Sequence, residues 1–289
     1  CDVISPTKGE QLNVKVHNIN KMGIIGYINI DDKYNKSGDN VKKLDMISNE
    51  ILLRKLSELN LIRTIGSEEN NDLIYTTFKN APYMVCFDPL DGSSNIGVNI
   101  TVGSIFAIYE YSDNRIKDGN NIKMSGYCLY GGSTQLVVAD SKINIYQLNN
   151  KSSLFKLIIN DWKIPNKGNY YAINESNKYI MDNKYNKLID EFIKLGYSAR
   201  WVASLVADAH RTLIKGGFFS YPVNNKHNNG RIRLLYEAYP FAYIFKIAGG
   251  FYSNGNSNLL DIPFPENIHQ KTGIILSSKK EMDLFKKII

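Results

Sequence analysis

The stretch VCFDPLDGSSNIG, residues 85–97, decides how this chain folds. An apolar, strand-like run leads directly into a proline, two aspartates, a glycine and two serines. A surface turn would explain Pro-Leu-Asp-Gly, because proline fixes φ and glycine accepts a left-handed conformation. Asp88, however, ends the apolar run YMVCF, which is typical of a buried strand. Since unpaired buried charge is costly, Asp88 and Asp91 at one strand end indicate that the site needs a cation or a proton.

Strand-like and helix-like segments alternate along the rest of the chain, which favours an α/β fold. The clearest early helix is GDNVKKLDMISNEILLRKLSEL, residues 38–59, with Asp39 or Asn40 as its N-cap. Strands are predicted in LIRTIGS, YMVCF, SIFAIYEY, YCLYGG and TQLVVAD. Beyond residue 160 helices become frequent, and LLYEAYPFAYIFKIAGG predicts one that ends at a glycine. We expect two tightly joined domains, residues 1–160 and 161–289.

Composition excludes several classes of protein. The chain has 289 residues, of which 43% are hydrophobic and 22% are charged, as in ordinary globular proteins. Its net charge of +7 is spread evenly, without a basic run, so we expect no nucleic-acid partner. No apolar stretch is long enough to span a bilayer, so we expect no membrane partner. Three cysteines without a disulfide pattern indicate a reducing compartment, and we expect a cytoplasmic protein, with a plastid as the alternative.

Further acids accompany the two aspartates. GSEEN places Glu68 and Glu69 after another apolar strand, and strand ends in α/β folds are where ligands gather. Alone, Glu237 would be a helix-dipole partner and Asp45 a surface residue. Together, several carboxylate oxygens suit magnesium or manganese, and the hydroxyls and N–H groups of DGSSN suit an oxyanion. This combination indicates metal-assisted hydrolysis of a phosphate ester.

At these residues the chain resembles the fructose-1,6-bisphosphatase family. The motifs that carry the resemblance are GDNVKKLDMISNE, GSEEN, VCFDPLDGSSNI, VADAHRTL, YPVNNKHNNGRIRLLYE and AGG. They run from about residue 38 to the C-terminus, and FDPLDGSSN is highly specific for sugar bisphosphatases. The resemblance implies a five-layer α/β/α/β/α sandwich that assembles as a homotetramer. It also implies hydrolysis of the 1-phosphate of fructose 1,6-bisphosphate, a sugar bisphosphate, in gluconeogenesis.

The resemblance implies a role for each matching residue. Two to three magnesium ions per subunit, or manganese, would be bound by Asp39, Glu68, Asp88, the Leu90 carbonyl, Asp91 and Glu237. Glu69 paired with Asp45 would take the proton of the attacking water. The 1-phosphate would lie beside Asp91, Gly92, Ser93 and Ser94. The 6-phosphate would be bound by Asn174, Arg200 from a neighbouring subunit, Trp201, Tyr221 and Arg231.

The chain departs from the family pattern around the sugar and at the regulatory site. Trp201 and Asn177 replace tyrosines of the 6-phosphate site, Arg231 replaces a lysine, and Gly97 replaces an aspartate. These changes affect affinity and sugar preference rather than the metal ligands. At the AMP site of many relatives, Tyr83 is kept, but Pro82 and Glu110 replace a lysine and an arginine. We therefore expect no inhibition by AMP.

Several other functions compete with this interpretation. The first alternative is a sedoheptulose-1,7-bisphosphatase or a broader sugar bisphosphatase, and a non-catalytic metabolite-binding relative is an alternative from another class. An inositol monophosphatase is disfavoured because its Trp-Asp motif is replaced by LYEAYP. Residues 25–39 are either a surface loop or a lid. His210 is expected to be structural, and His17, His227 and His269 carry no signal.

Overall fold

The computed structural model describes residues 37–288, with side chains from residue 44 onward. Residues 25–36 of the predicted lid, His17 and the side chain of Asp39 therefore lie outside the described part, whereas residues 37–39 belong to a helix. Within residues 37–288, no helix combines the length and apolar character needed to cross a membrane.

The described chain alternates helices and strands throughout. The α-helices are α1 Ser37–Ser57, α2 Asn183–Lys194, α3 Leu205–Lys215, α4 Tyr239–Ala248 and α5 Lys279–Ile288. The first eight strands are β1 Ile62–Ser67, β2 Ile74–Tyr75, β3 Tyr83–Asp91, β4 Val102–Glu110, β5 Ile122–Tyr130, β6 Thr134–Ala139, β7 Ile143–Asn149 and β8 Leu154–Ile159. The others are β9 Tyr170–Ala172, β10 Ser198–Ala199, β11 Phe218–Tyr221, β12 Ile232–Arg233, β13 Phe251–Ser253, β14 Lys271–Thr272 and β15 Ile274–Ser277.

Two large sheets organise these elements. The first has eight strands in the order β2-β1-β3-β4-β5-β6-β7-β8, and only the β1–β3 pair in it is parallel. The second has five strands in the order β10-β9-β11-β15-β13, and β12 pairs with β14 separately. The long antiparallel meander follows chain order from β3 to β8, as expected when short turns join neighbouring strands.

The helices complete five layers. Leu56 of α1 packs with Val85 and Phe87 on one face of the eight-stranded sheet. Helices α3 and α4 pack between the two sheets, and α2 and α5 cover the far face of the five-stranded sheet. Because side chains alternate along a strand, Phe219 joins the central core whereas Phe218 packs with α2 and α5. This order of layers is the α/β/α/β/α sandwich that the family resemblance implies.

The structure differs from the predicted elements at several points. Helix α1 begins at Ser37, ahead of the predicted caps Asp39 and Asn40. The strands without a predicted counterpart are β2, β7, β8, β9, β10, β12, β13 and β14. Six of these eight have only two or three residues, and β8 is a largely exposed edge strand without a clear apolar alternation. The predicted helix at residue 234 begins as a π-helix, Leu234–Ala238, and the hydroxyl of Tyr109 donates to the Leu235 carbonyl within it.

Candidate active site

A β-bulge at the end of β3 brings Asp88 and Asp91 together. In the pairing with β4, Asp88 lies opposite Ile105 and Asp91 lies opposite Gly103. An advance of three residues along β3 thus corresponds to an advance of two residues along β4. In a regular strand, residues three apart point to opposite faces, and the extra residue in the bulge re-aims one of them. Pro89 is tolerated at this point because a bulge leaves backbone groups outside the ladder. The two carboxylates thus share one buried space.

The π-helix adds a third buried carboxylate to this space. π-Helical turns are rare and occur mostly at functional sites. Here the backbone N–H of Arg233 donates to Oε2 of Glu237, so the side chain also caps its own helical segment. One carboxylate oxygen from each of Asp88, Asp91 and Glu237 lies within 4.8 Å of the others. The helix-dipole interpretation of Glu237 is therefore compatible with its place in the acidic cluster.

Helix α3 supports Asp91 from the opposite side. The backbone N–H of Val206 donates to Asp91 Oδ2 at 2.8 Å, and the Ser204 hydroxyl donates to the same oxygen at 3.3 Å. Gly103 makes this approach possible, because a Cβ at that position would lie 2.9 Å from Val206 Cγ2 and 2.4 Å from the Cys128 carbonyl oxygen. The helix N-terminus favours the negative charge of Asp91.

The cluster is electrostatically strained without a cation. Burial raises the pKa of Asp91 to about 7, against the hydrogen bond from Val206. Burial, followed by the charge of Glu68, raises the pKa of Asp88 and of Glu237 well above the usual range. The Arg233 guanidinium lies 3.1 Å from Glu68, so one cationic side chain of the described residues pairs with the acids of this site.

This donor set fits a hard divalent cation. Its oxygens are close enough to share one ion, and oxygen ligands are those that magnesium and manganese prefer. The Leu90 N–H donates to Asp88 Oδ1 at 2.9 Å, which folds the chain tightly between the two aspartates. A cation would offset the mutual repulsion of these carboxylates, which adds to the effect of burial on their pKa values.

The proposed proton acceptors lie beside the cluster. Burial, followed by the charge of Glu69, raises the pKa of Asp45 to about 6. Ser93 in the DGSSN turn donates a hydrogen bond to Asp45, and the charge of Glu68 also acts on it. Helix α1, the end of β1 and the DGSSN turn therefore meet at one point. Gly92 begins this turn with φ of 75°, a left-handed conformation that glycine adopts without strain.

Three of the predicted 6-phosphate residues are neighbours. The ring centroids of Trp201 and Tyr221 are 5.5 Å apart, and the Arg231 guanidinium carbon lies 5.8 Å from the Tyr221 ring. Arg200 instead lies over the ring of Tyr170, and its Nη1 donates to the carbonyl of Ala199.

Asn174 makes local contacts, since its Oδ1 accepts from the N–H and the hydroxyl of Ser176. The side chains of Asn174 and Arg200 therefore make these contacts with residues other than Trp201, Tyr221 and Arg231.

Asp208 is a positioning residue that sequence reasoning missed. Its buried carboxylate accepts from the N–H groups of Val202 and Ala203 and pairs with Arg211 at 2.6 Å. Ala203 has φ of 65°, a left-handed conformation that costs a non-glycine residue energy. Asp208 thereby fixes the loop that joins Trp201 to the start of α3. Its place in VADAHRTL predicts a helix but gives no sign that the carboxylate turns back.

His210 is structural, as predicted. Its Nδ1 lies 2.8 Å from the hydroxyl of Tyr127, and burial lowers its pKa to about 4. A neutral ring in this position packs helix α3 against strand β5.

Comparison with known proteins identifies the family. Models described as the N-terminal and C-terminal domains of Fructose-1-6-bisphosphatase match residues 9–159 and 164–289. The chain belongs to the fructose-1,6-bisphosphatase family. The resemblance inferred from its motifs is thereby confirmed.

Similar proteins come from distant organisms. Fructose-1,6-bisphosphatase class 1 of Persephonella marina is 41% identical over 258 residues, covering 87% of this chain and 80% of that protein. Fructose-1,6-bisphosphatase 1 of Rattus norvegicus is 39% identical over 288 residues, covering 93% and 78%. The crystal structure of Leishmania major fructose-1,6-bisphosphatase in holo form has a TM-score of 0.84 and 33% identity. That match covers 94% of this chain and 88% of the other, and it confirms the fold.

Proposed function

We propose that this fructose-1,6-bisphosphatase family member hydrolyses the 1-phosphate of fructose 1,6-bisphosphate, releasing fructose 6-phosphate and phosphate. The observation that carries the proposal is the buried cluster of Asp88, Asp91 and Glu237 beside the DGSSN turn. Carboxylates for a cation lie next to hydroxyl and N–H donors for a phosphate, which is the combination that phosphate ester hydrolysis needs.

The carboxylate cluster would hold two to three magnesium or manganese ions. The proposed ligands are Asp39, Glu68, Asp88, the Leu90 carbonyl, Asp91 and Glu237. When bound, the ions supply Lewis-acid polarisation of the phosphoryl group and stabilise negative charge. The protein's contribution is to hold the carboxylates at a fixed separation and to keep them partly out of water.

Residues around the cluster would position the substrate and move one proton. Asp45 with Glu69 would accept the proton of the attacking water, and a pKa near 6 suits a base that works near neutral pH. Ser93, Ser94 and the backbone of Gly92 would border the 1-phosphate, next to Asp91. Polar side chains at the opposite phosphate would hold the sugar in place during the reaction.

That opposite phosphate would be bound by Trp201, Tyr221 and Arg231, with Asn174 completing the pocket. The planar guanidinium of Arg231 suits phosphate through paired hydrogen bonds. Arg200 is exposed in this chain and lies over Tyr170, so we propose that it serves a neighbouring subunit of a homotetramer.

The organisation and location of the enzyme belong to the same proposal. We place the boundary between two domains near residue 160, after the last strand of the eight-stranded sheet. A cytoplasmic location agrees with Cys86 and Cys128 being free and buried. The replacement of a tyrosine by Trp201 makes sedoheptulose 1,7-bisphosphate the second candidate substrate.

One assay tests this proposal. Phosphate release is measured from fructose 1,6-bisphosphate and sedoheptulose 1,7-bisphosphate, with magnesium and with EDTA. We expect magnesium-dependent release that is faster from the fructose ester and that disappears with EDTA. Equal release in EDTA would contradict the metal assignment, and release only from the sedoheptulose ester would favour the second candidate.

A further inference from the structure

His269 links two chain segments that carry acidic residues of the candidate site. Its Nδ1 lies 2.7 Å from the hydroxyl of Tyr236, and its Nε2 lies 2.9 Å from the carbonyl oxygen of Asn70. Tyr236 is fully buried and directly precedes Glu237, whereas Asn70 directly follows Glu69. One imidazole thus spans from the π-helix to the turn that carries Glu68 and Glu69.

The turn at residues 67–70 is held by polar contacts on its other side as well. The Glu68 N–H donates to the Phe87 carbonyl at 3.2 Å, continuing the ladder between β1 and β3. Asn49 of helix α1 donates from Nδ2 to Asn70 Oδ1 at 3.1 Å and accepts from the Ser67 hydroxyl at 2.7 Å. His269 is therefore the contact on the side of the π-helix, and Asn49 is the contact on the side of α1.

The two partners of His269 determine its tautomer. The Asn70 carbonyl can only accept a hydrogen bond, so Nε2 carries the hydrogen. In the neutral ring, Nδ1 then accepts from the Tyr236 hydroxyl. The side chain at position 269 must therefore offer a hydrogen-bond donor to Asn70 and an acceptor to Tyr236, separated by about the width of an imidazole ring.

We propose that His269 is a positioning residue that sets the separation between Glu68 and Glu237. The inference rests on the proposed function of the same site. Without an ion the carboxylates repel each other, and Arg233, which pairs with Glu68 and donates its backbone N–H to Glu237, offsets only part of this repulsion. Hydrogen bonds from the surrounding elements must therefore help to hold the two segments close. The hydrogen bond from His269 to Asn70 would hold the turn at residues 67–70, and with it Glu68, at a fixed distance from the π-helix.

Two substitutions separate the two hydrogen bonds. His269→Gln keeps an N–H donor near the position of Nε2, so it can still reach the Asn70 carbonyl. His269→Asn keeps an acceptor near the position of Nδ1 but is too short to reach Asn70. His227→Gln, which replaces an exposed histidine, is the matched control.

The readouts are Mn²⁺ affinity by electron paramagnetic resonance and unfolding by urea in EDTA. We expect His269→Asn to lose about tenfold in Mn²⁺ affinity, and His269→Gln and His227→Gln to stay near wild type. Tyr236→Phe, which keeps the ring and loses the hydroxyl, is expected to lose affinity by a smaller factor. It tests the link if His269→Asn does not fold.

Wild-type Mn²⁺ affinity in both His269→Asn and Tyr236→Phe would overturn the proposal. It would also be overturned if both His269 variants lost affinity and stability in equal proportion, as a purely structural role requires. Because Mn²⁺ binding is measured without substrate, this result is independent of hydrolysis. A wild-type chain that binds Mn²⁺ but hydrolyses neither bisphosphate would contradict the proposed function and leave the His269 comparison decisive.

Discussion

The backbone N–H of Val206 donates to Oδ2 of Asp91 at 2.8 Å, which places a buried carboxylate at the N-terminus of helix α3. Asp91 ends a strand of the eight-stranded sheet, and α3 belongs to the layer between the two sheets. The contact thereby joins the acidic site to the loop that carries Trp201. A shift of helix α3 relative to the eight-stranded sheet would therefore also move the hydrogen-bond donor of Asp91.

Gly103→Ala should disturb this contact. The added Cβ would lie within van der Waals overlap of Val206 and of the Cys128 carbonyl, so α3 must move away from Asp91. We expect a loss of roughly 1–3 kcal/mol in the free energy of unfolding, together with weaker magnesium activation. Urea unfolding and magnesium titration of activity measure the two effects.

Gly97→Ala is the control, because a Cβ there meets nothing within 4 Å. Full stability and full activation in Gly103→Ala would show that the helix does not need this close approach.

The stability of the metal-free protein should depend on pH in an unusual direction. The folded-state pKa values of Asp45 and Asp91 are about 6 and about 7, above the ordinary 3.8. Between about pH 4 and pH 7 the folded chain therefore holds protons that the unfolded chain has released. The destabilisation by these groups is absent below pH 3.8, grows through this window and is complete above pH 7.

Urea unfolding in EDTA at pH 5 and pH 7.5 tests this sign, with Asp45→Asn as the variant that should flatten the pH dependence. Magnesium should restore stability at pH 7.5, by about 2.7 kcal/mol at one hundred times its dissociation constant. A contribution from Asp45 that stabilises the chain as pH rises through the window would refute the pKa assignment.

Trp201→Tyr should tighten substrate binding. The family resemblance places a tyrosine hydroxyl at the 6-phosphate, and a hydrogen bond to a charged group contributes roughly 1.5–3 kcal/mol before compensation. We expect KM for fructose 1,6-bisphosphate to fall about tenfold with kcat little changed, because the contact is made in the ground state. Steady-state kinetics measure both constants.

Trp162→Tyr serves as the matched control, since that indole donates to the Leu213 carbonyl. An unchanged or higher KM in Trp201→Tyr would mean that the indole already performs the role of the hydroxyl.

AMP should not inhibit this enzyme. Tyr83 and Glu110 are paired residues of β3 and β4, and Glu110 forms an ion pair with Lys123 at 2.8 Å. The family resemblance places a lysine and an arginine of the AMP site where this chain has Pro82 and Glu110, and a glutamate repels a nucleotide phosphate. Activity measured across a series of AMP concentrations should stay constant. Saturable AMP inhibition that is not competitive with substrate would contradict the prediction.

The residue types within short segments of the sequence were sufficient to predict some parts of the site. YMVCF predicted the buried strand because its residues are apolar on both faces, and DPLDG predicted the turn that follows. The bulge was not predictable, because it is defined by pairing with β4 rather than by the turn residues themselves. Strand β8 was missed for a related reason, since its exposed edge position removes the apolar alternation.

Long-range polar contacts were invisible to sequence reasoning. His269 lies 33 residues from Tyr236 and 199 residues from Asn70, so no spacing rule connects them. Asp208 contacts a loop only five or six residues away, but a helical pattern gives no sign of a reversed carboxylate. The assignments of individual ligands and of substrate residues remain predictions from the family resemblance.

The most direct test of the account is the turnover of Asp91→Asn with fructose 1,6-bisphosphate under saturating magnesium. The amide can still accept the hydrogen bond from Val206, so the fold and the contact with α3 should survive while the negative charge is lost. We predict a fall in kcat by about two orders of magnitude or more, with unfolding in EDTA unchanged or shifted to higher urea. Turnover close to that of the wild type would contradict the assignment of the acidic cluster as the metal centre of a phosphatase.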